Sequence, residues 1–189
     1  GALTRLEFER RLRGVLASRR EHEADSRIYL VALDLDGFKA LNDDYEESTG
    51  DLILAKFVTR LSSKMRDSDL LGRNGGDEFL LAVRLDRDVD ALGTVERIRE
   101  EVVNDGFRSK AGVHHLSFTA GVACFDADES LDGLISRANQ ALVTGKARGR
   151  NRCYLAPDHH AHWPETVVSA VSAQSKQRLA GRPTQAQSH

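Results

Sequence analysis

The chain has 189 residues, with 27 Lys+Arg against 29 Asp+Glu and a net charge of −2, so it lacks the basic excess of a simple nucleic-acid or membrane-surface binder. Hydrophobic residues at 40% and charged residues at 30% exclude wholesale disorder, and 2 cysteines without metal-ligand spacing exclude a disulfide framework and fit a reducing cytosol. All 3 prolines (Pro157, Pro164, Pro183) and the single tryptophan, Trp163, fall near the C-terminus, which divides the chain into a body of residues 1–156 and a tail of residues 157–189.

Along the body, Leu3, Leu6, Leu12, Val15 and Leu16 recur at helical spacing and predict an amphipathic helix over 3–19. Ile28 to Leu33 is a short, nearly continuous apolar run that reads as a buried central strand and is far too short to span a membrane. A short helix is predicted at 38–41, an acidic loop over 42–49, and a long helix over 50–65 with Ile53, Leu54, Phe57, Val58 and Leu61 on one face. Two strands, 69–73 and 78–83, flank Asn74-Gly75-Gly76-Asp77, where Asn-Gly is a strong hairpin signal. A helix over 88–103, a strand over 115–124, a helix over 131–144 and a last strand over 151–155 complete the body. The fold class expected from this order is α+β, a mostly antiparallel sheet wrapped by helices. In the tail, Pro164-Glu165 is expected to open a helix through about Leu179, with disorder from Arg182 onward.

The chemistry concentrates in two places. Asp34 and Asp36 stand at the end of the buried strand, where carboxylates are costly unless something compensates them. Asp36 is readily explained as a cap on the next helix, whereas Asp34 lies too far back along the strand for that. Asp77 and Glu78 occupy the hairpin tip, so pairing beside the first strand would bring the carboxylates together at one sheet edge. Oxygen ligands without His or Cys select Mg²⁺ or Mn²⁺, which commonly complete their shells with water and phosphates. Gly75 and Gly76 either make a tight turn or let a nucleotide approach the backbone. Lys146, Arg148 and Arg150 either complement a helix C-terminus or reach phosphates.

At Arg73-Asn74-Gly75-Gly76-Asp77-Glu78-Phe79 the chain resembles the GGDEF family of diguanylate cyclases, which join two GTP molecules into cyclic di-GMP. The accompanying motifs are Asp34-Leu35-Asp36-Gly37-Phe38-Lys39, Asn42-Asp43, Gly50-Asp51 and Lys146 with Gly149-Arg150-Asn151, and the similarity runs over residues 1–155. It implies a central five-stranded sheet like that of the polymerase palm and the class III nucleotidyl cyclases. It further implies that Asp34, the Leu35 carbonyl and Asp77 hold Mg²⁺ (or Mn²⁺), that Asp77 serves as base for the 3′-hydroxyl, and that Glu78 is a further carboxylate there. Lys39, Lys146 and Arg150 would face phosphates, Gly75 and Gly76 the nucleotide, and Asn42 and Asp51 the guanine edge. Arg66 and Asp69, with five residues between Asp69 and Gly75, match the family's product-binding inhibitory site, with Arg97 as a supporting arginine.

The chain departs from the family pattern at Glu46-Glu47, where Gly-His is usual, and at Asn139, Val143, Gly145 and Thr119-Ala120. The departures leave the implied metal ligands and the signature untouched. Since one domain holds one GTP, the resemblance implies at least a transient homodimer, together with an upstream sensory module absent from this chain and no nucleic-acid or membrane contact by the domain itself. The expected location is the cytoplasm, with any membrane anchor lying upstream. The alternative is a catalytically degenerate GGDEF domain that binds GTP or cyclic di-GMP as a regulatory module.

Overall fold

The computed structural model describes residues 1–18, 25–45 and 47–159, with Glu47 described in its backbone alone. The helix expected over 164–179 and the remainder of the tail lie outside the described residues. Strand β1 is Leu3–Thr4, followed by α1 (Arg5–Ala17), β2 (Ser26–Leu35), α2 (Phe38–Asp44) and α3 (Glu47–Ser62). Then come β3 (Leu70–Gly75), β4 (Glu78–Asp86), α4 (Ala91–Val103), β5 (Phe107–Ser109), β6 (Gly112–His114), β7 (Phe118–Cys124), α5 (Leu131–Ala147) and β8 (Cys153–Leu155).

The main sheet has 6 strands in the order β1-β3-β4-β2-β7-β8. Central β2 runs antiparallel to both β4 and β7, while the edge strands β1 and β8 lie parallel to β3 and β7. The expected count of five strands is therefore corrected to six. The extra strand, β1, spans only Leu3 and Thr4, too short to leave an alternation pattern, and it takes the first two residues of the helix expected over 3–19. Thr4 in fact caps that helix, its side chain accepting a hydrogen bond from the Glu7 amide at 3.3 Å. A separate two-stranded ribbon, β5-β6, was also not read from the sequence. Each of its strands has three residues, below the length at which periodicity speaks.

Alternate residues of β2 feed two cores. Tyr29, Val31, Leu33 and Leu35 face Phe57 and Leu61 of α3 and Val95 and Val102 of α4. Ile28, Leu30 and Ala32 face Phe8 and Leu12 of α1 and Leu134, Ala138 and Leu142 of α5. Both faces are covered, which is why the strand reads as a continuous apolar run rather than an alternating one. Phe57 sits among the rings of Phe79, Phe118 and Phe107 at centroid distances of 5.3, 5.6 and 6.3 Å, in tilted and edge-on contacts that aromatic quadrupoles favour.

The predicted hairpin forms as β3-β4, with a register shift between Arg73 and Gly75. The acidic loop expected over 42–49 is instead mostly helical, because α2 continues to Asp44 and α3 begins at Glu47. Asn42, Asp43 and Asp44 form the exposed last turn of α2, where a polar run on a solvent-facing helix end has the same composition as a loop. Other boundaries move by a few residues: α4 starts after the Asp90 cap, α5 runs on to Ala147, and β7 starts at Phe118. Among the described residues no helix is long and apolar enough to cross a membrane.

At Gly121 in β7 the helix α5 comes against the strand almost backbone to backbone. A Cβ there would lie 2.1 Å from the Ala138 carbonyl oxygen and 2.2 Å from the Leu142 nitrogen. Gly121→Ala is expected to push α5 off the sheet and destabilise the fold by about 3 kcal/mol, the upper range for overpacking. Urea unfolding monitored by circular dichroism checks this, and an unchanged midpoint would refute the close seat.

Candidate active site

The site is assembled where β2 leaves the sheet. In the strand register Asp34 lies opposite Glu78 of β4 on one side and Thr119 of β7 on the other. One residue further, the Leu35 amide donates to the Asp77 carbonyl at 3.3 Å. The carriers of Asp34, Leu35, Asp77 and Glu78 are thus adjacent. Gly75 and Gly76 precede them with φ of 142° and 47°, a turn that side-chain-bearing residues resist. Arg73 closes the turn, its Nε donating to the Gly76 carbonyl at 2.9 Å, and Asn74 donates to Glu78 at 3.0 Å.

Asp34 has a side chain only 13% exposed, and Lys146 Nζ stands 2.7 Å from its Oδ1. Burial pushes the Asp34 carboxyl above its ordinary value, and the nearby charges of Asp77 and Asp36 push the same way, while Lys146 opposes them. The carboxylates are therefore close enough to repel one another, the condition under which a cation is attracted. Lys146 is delivered by α5, whose last turns pack over Thr119 and Gly121. Arg150, in the loop after α5, is exposed, as is Lys39 in the first turn of α2.

Asn42 and Asp51 are brought near each other by the packing of α2 on α3. A Cβ at Gly50 would lie 2.0 Å from Asn42 Oδ1, so the Asn42 amide lies directly against the helix turn that carries Asp51. Nearby, a cavity of about 730 Å³ opens between Tyr45, Ser48, Thr49 and Leu52 on one side and Ser109 and Lys110 of the β5-β6 ribbon on the other. Of the two unusual residues Glu46 and Glu47, the first lies outside the described residues and nothing is described of the second's side chain.

Asp36 does something the sequence did not suggest. The residue before α2 is Gly37, and no side chain caps that helix. The Asp36 carboxylate instead accepts from Ser117 Oγ at 2.7 Å, Thr119 Oγ1 at 2.8 Å and the Asn151 amide at 3.0 Å. It ties β7 and the loop after α5 to the end of β2. A donor from residue 151 is invisible in sequence, because it is distant along the chain.

Arg66 and Asp69 stand apart from this cluster, at the other end of β3. The strand from Leu70 to Gly75 separates them from the Gly-Gly turn by roughly 17 Å at the usual rise per residue. They form a tight turn in which Asp69 Oδ2 accepts from the Arg66 amide at 2.9 Å and the Asp69 amide donates to the Arg66 carbonyl at 3.0 Å. Asp69 Oδ1 is buried with no hydrogen-bond partner among the described residues. Both residues line a cavity of about 260 Å³ together with Arg11, Met65 and Leu71. Arg97 does not line this cavity; it pairs with Glu101 at 3.0 Å, which also pairs with Lys64 at 2.9 Å.

The 2 cysteines take no part. Burial pushes both thiols up, Cys153 further through its contact with Glu96, so neither forms a ready thiolate near neutral pH.

A six-stranded, mostly antiparallel sheet wrapped by helices, with acidic residues at the tip of one hairpin and the end of its central strand, defines an α+β domain of the kind seen in solved GGDEF structures. The family model "Diguanylate cyclase, GGDEF domain" matches residues 2–152, and the chain belongs to that family. It is 39% identical over 133 residues to diguanylate cyclase DgcZ of Escherichia coli K12, covering 70% of this chain and 45% of that protein. It is 36% identical over 127 residues to diguanylate cyclase DosC of the same strain, covering 67% and 28%. The chain thus spans less than half the length of either relative. Among solved structures, the GGDEF domain of DgcB from Caulobacter crescentus in complex with c-di-GMP superposes with a TM-score of 0.72 at 26% identity, covering 82% of this chain and 91% of that one. Diguanylate cyclase SiaD from Pseudomonas aeruginosa, in complex with its activator SiaC, gives 0.73 at 31% identity, covering 81% and 58%.

The Asp34 environment has a measurable consequence. Its folded carboxyl keeps its proton to higher pH than the ordinary value of 3.8 seen in an unfolded chain. The contribution of this group to stability is therefore most favourable below that ordinary value and declines as pH rises through the raised one. Asp34→Asn removes the titration while keeping the shape. It is expected to raise the urea midpoint at pH 8 and to lose that gain as pH falls below 4. A midpoint at pH 8 lower than that of the unchanged protein would overturn the assignment.

Proposed function

We propose that this domain is a diguanylate cyclase, condensing two GTP molecules into cyclic di-GMP with release of pyrophosphate. The observation that carries the reading is the half-buried Asp34 compensated by Lys146 beside the Gly75-Gly76-Asp77-Glu78 tip, in a member of the GGDEF family. The donors there are oxygens: the carboxylates of Asp34 and Asp77 and the carbonyl of Leu35. Among the described residues no group of three or more His, Cys, Asp or Glu side chains makes a metal site alone. This set suits Mg²⁺ or Mn²⁺, ions that draw remaining ligands from phosphates and water. When bound, such an ion neutralises charge on the phosphates and lowers the barrier to displacement at phosphorus.

The chain's own residues would do the rest. Asp77 takes the proton of the 3′-hydroxyl as that oxygen attacks the α-phosphorus and the bond to pyrophosphate breaks. Glu78, held by Asn74, keeps a second carboxylate beside it. Lys39, Lys146 and Arg150 bind phosphate oxygens as charge-assisted donors. Asn42 and Asp51 hydrogen-bond the guanine edge. A carboxylate accepting from N1–H and the exocyclic amine rejects adenine, which lacks that donor pair. Closing the ring requires two such sites facing each other, hence a homodimer. Incubation with GTP and Mg²⁺ followed by chromatography should yield cyclic di-GMP, with product per enzyme rising as protein concentration rises. Asp77→Ala should reduce the rate by at least about a hundredfold, the ordinary size of a lost acid–base group. Equal product from Asp77→Ala would refute the site.

The unpartnered Asp69 oxygen beside Arg66 supports a second binding role, in which product occupies the cavity at the start of β3 and inhibits synthesis. Calorimetry with cyclic di-GMP is expected to detect binding that Arg66→Ala weakens at least about tenfold, as loss of a charge-assisted phosphate contact would. Binding there without any synthesis would identify a receptor instead of an inhibited enzyme. Binding unaffected by Arg66→Ala would remove the inhibitory site.

A further inference from the structure

Three consecutive residues after α5 have positive φ: Gly149 at 112°, Arg150 at 59° and Asn151 at 47°. Glycine adopts such angles freely and asparagine tolerates them, but an arginine does so only where its surroundings hold it there. The holding contacts come from three sides. The Arg150 amide donates to the Gly145 carbonyl at 3.2 Å, and Arg152 Nε donates to the Arg150 carbonyl at 3.0 Å. The Asn151 amide donates to Asp36 Oδ2 at 3.0 Å, two residues beyond Asp34. The Asn151 side-chain oxygen accepts from Arg99 of α4.

Arg99 is the unusual member. Its side chain is 8% exposed, although nothing in the proposed chemistry uses it. It forks onto Glu96 Oε1 through Nε at 2.9 Å and the terminal nitrogen at 2.7 Å, while Glu96 Oε2 accepts from the Cys153 amide at 2.8 Å. A buried arginine and its partly exposed glutamate therefore grip the chain on both sides of residue 152. Stability alone does not require that grip to fall on the residue following the exposed Arg150. Asp36, just past the end of β2, and Arg99 of α4 meet at Asn151, and both use it as the point of attachment.

We propose that Asn151 is a positioning residue: held between Asp36 and Arg99, it fixes the left-handed backbone of Arg150 so that this arginine meets the nucleotide's phosphates. Asparagine suits the post because it accepts the positive φ, leaves its amide hydrogen for Asp36 and supplies an oxygen to Arg99. The inference deepens the diguanylate cyclase reading and rests on it, through the phosphate role of Arg150.

The test is a double-mutant cycle on the full chain, reading affinity for a GTP analogue with a methylene between the α- and β-phosphates, in Mg²⁺, by calorimetry. Arg150→Ala is expected to weaken binding about tenfold, as loss of a charge-assisted phosphate contact does. Asn151→Gly should weaken it at least about threefold when Arg150 is present and by less than about 1.5-fold when Arg150 is already alanine. Asn151→Asp, which keeps the acceptor for Arg99 and tolerates the same backbone, should restore most of that loss. Arg99→Gln provides a second entry to the same cycle should Asn151→Gly unfold, as thermal melting will report. An equal loss in both backgrounds, or none in either, overturns the positioning role while leaving the nucleotide site standing. Failure of the unchanged protein to bind the analogue overturns the nucleotide reading and this role together.

Discussion

The constraint on which the rest depends is the burial of β2. A strand covered on both faces has no wet side on which to place a carboxylate, yet its last residues are Asp34-Leu35 followed by Asp36. Each acid must be compensated within reach, or its charge would be too costly to keep. Asp34 is met by the ammonium of Lys146, and Asp36 by two hydroxyls and an amide. These two sets of partners belong to β7, α5 and the loop after α5. The need to satisfy two aspartates thus draws three distant pieces of chain to one sheet edge, which the hairpin tip of β3-β4 already borders. Site and fold are consequences of the same electrostatic requirement.

Much of this could be read from residue patterns because the relevant signals were local. Ile28–Leu33 reported a strand buried on both sides, and Asn74-Gly75 reported a hairpin, each within a window of a few residues. The helical stripe through Ile53, Leu54, Phe57 and Leu61 did the same for α3. The misreadings have other causes. The two residues of β1 are paired by β3, far along the chain, while β5 and β6 pair with each other but have only three residues each, too few to show a period. Asp36 carried a signal for helix capping that the left-handed Gly37 took away, leaving its carboxylate free for Ser117, Thr119 and Asn151. The acidic run at 42–49 misled because exposure was taken for loop, when Asn42 to Asp44 are the exposed last turn of α2.

The site residues divide along the same line. Asp34, Asp77, Glu78 and the two glycines were legible as a motif, and register places their backbones side by side. Asn42 and Asp51 were legible only through family resemblance. Their proximity rests on Gly50, whose missing side chain admits the Asn42 amide against α3. Arg99 and Glu96 were not legible at all, since on the sequence they are two more charges on an amphipathic helix. Only the fold buries Arg99 against Glu96. A fully buried pair, Arg137 with Glu129 at 2.7 Å, fastens the far end of α5, and its arginine also bonds the Pro157 carbonyl. Helix α5 is therefore held at its start by one ion pair and at its end by the network around Asp34 and Asp36.

Between those two anchors lies the seat of α5 on Gly121. A helix that touches a strand through backbone atoms cannot rock or slide by the fractions of an ångström that a cushion of side chains would permit. Lys146 is one helical turn beyond Leu142, one of the residues in that contact. The 2.7 Å spacing between its ammonium and Asp34 is thus gauged by a hydrogen atom on residue 121, used as a spacer. A distance between two charges in the site is written into the chain as the absence of a methyl group.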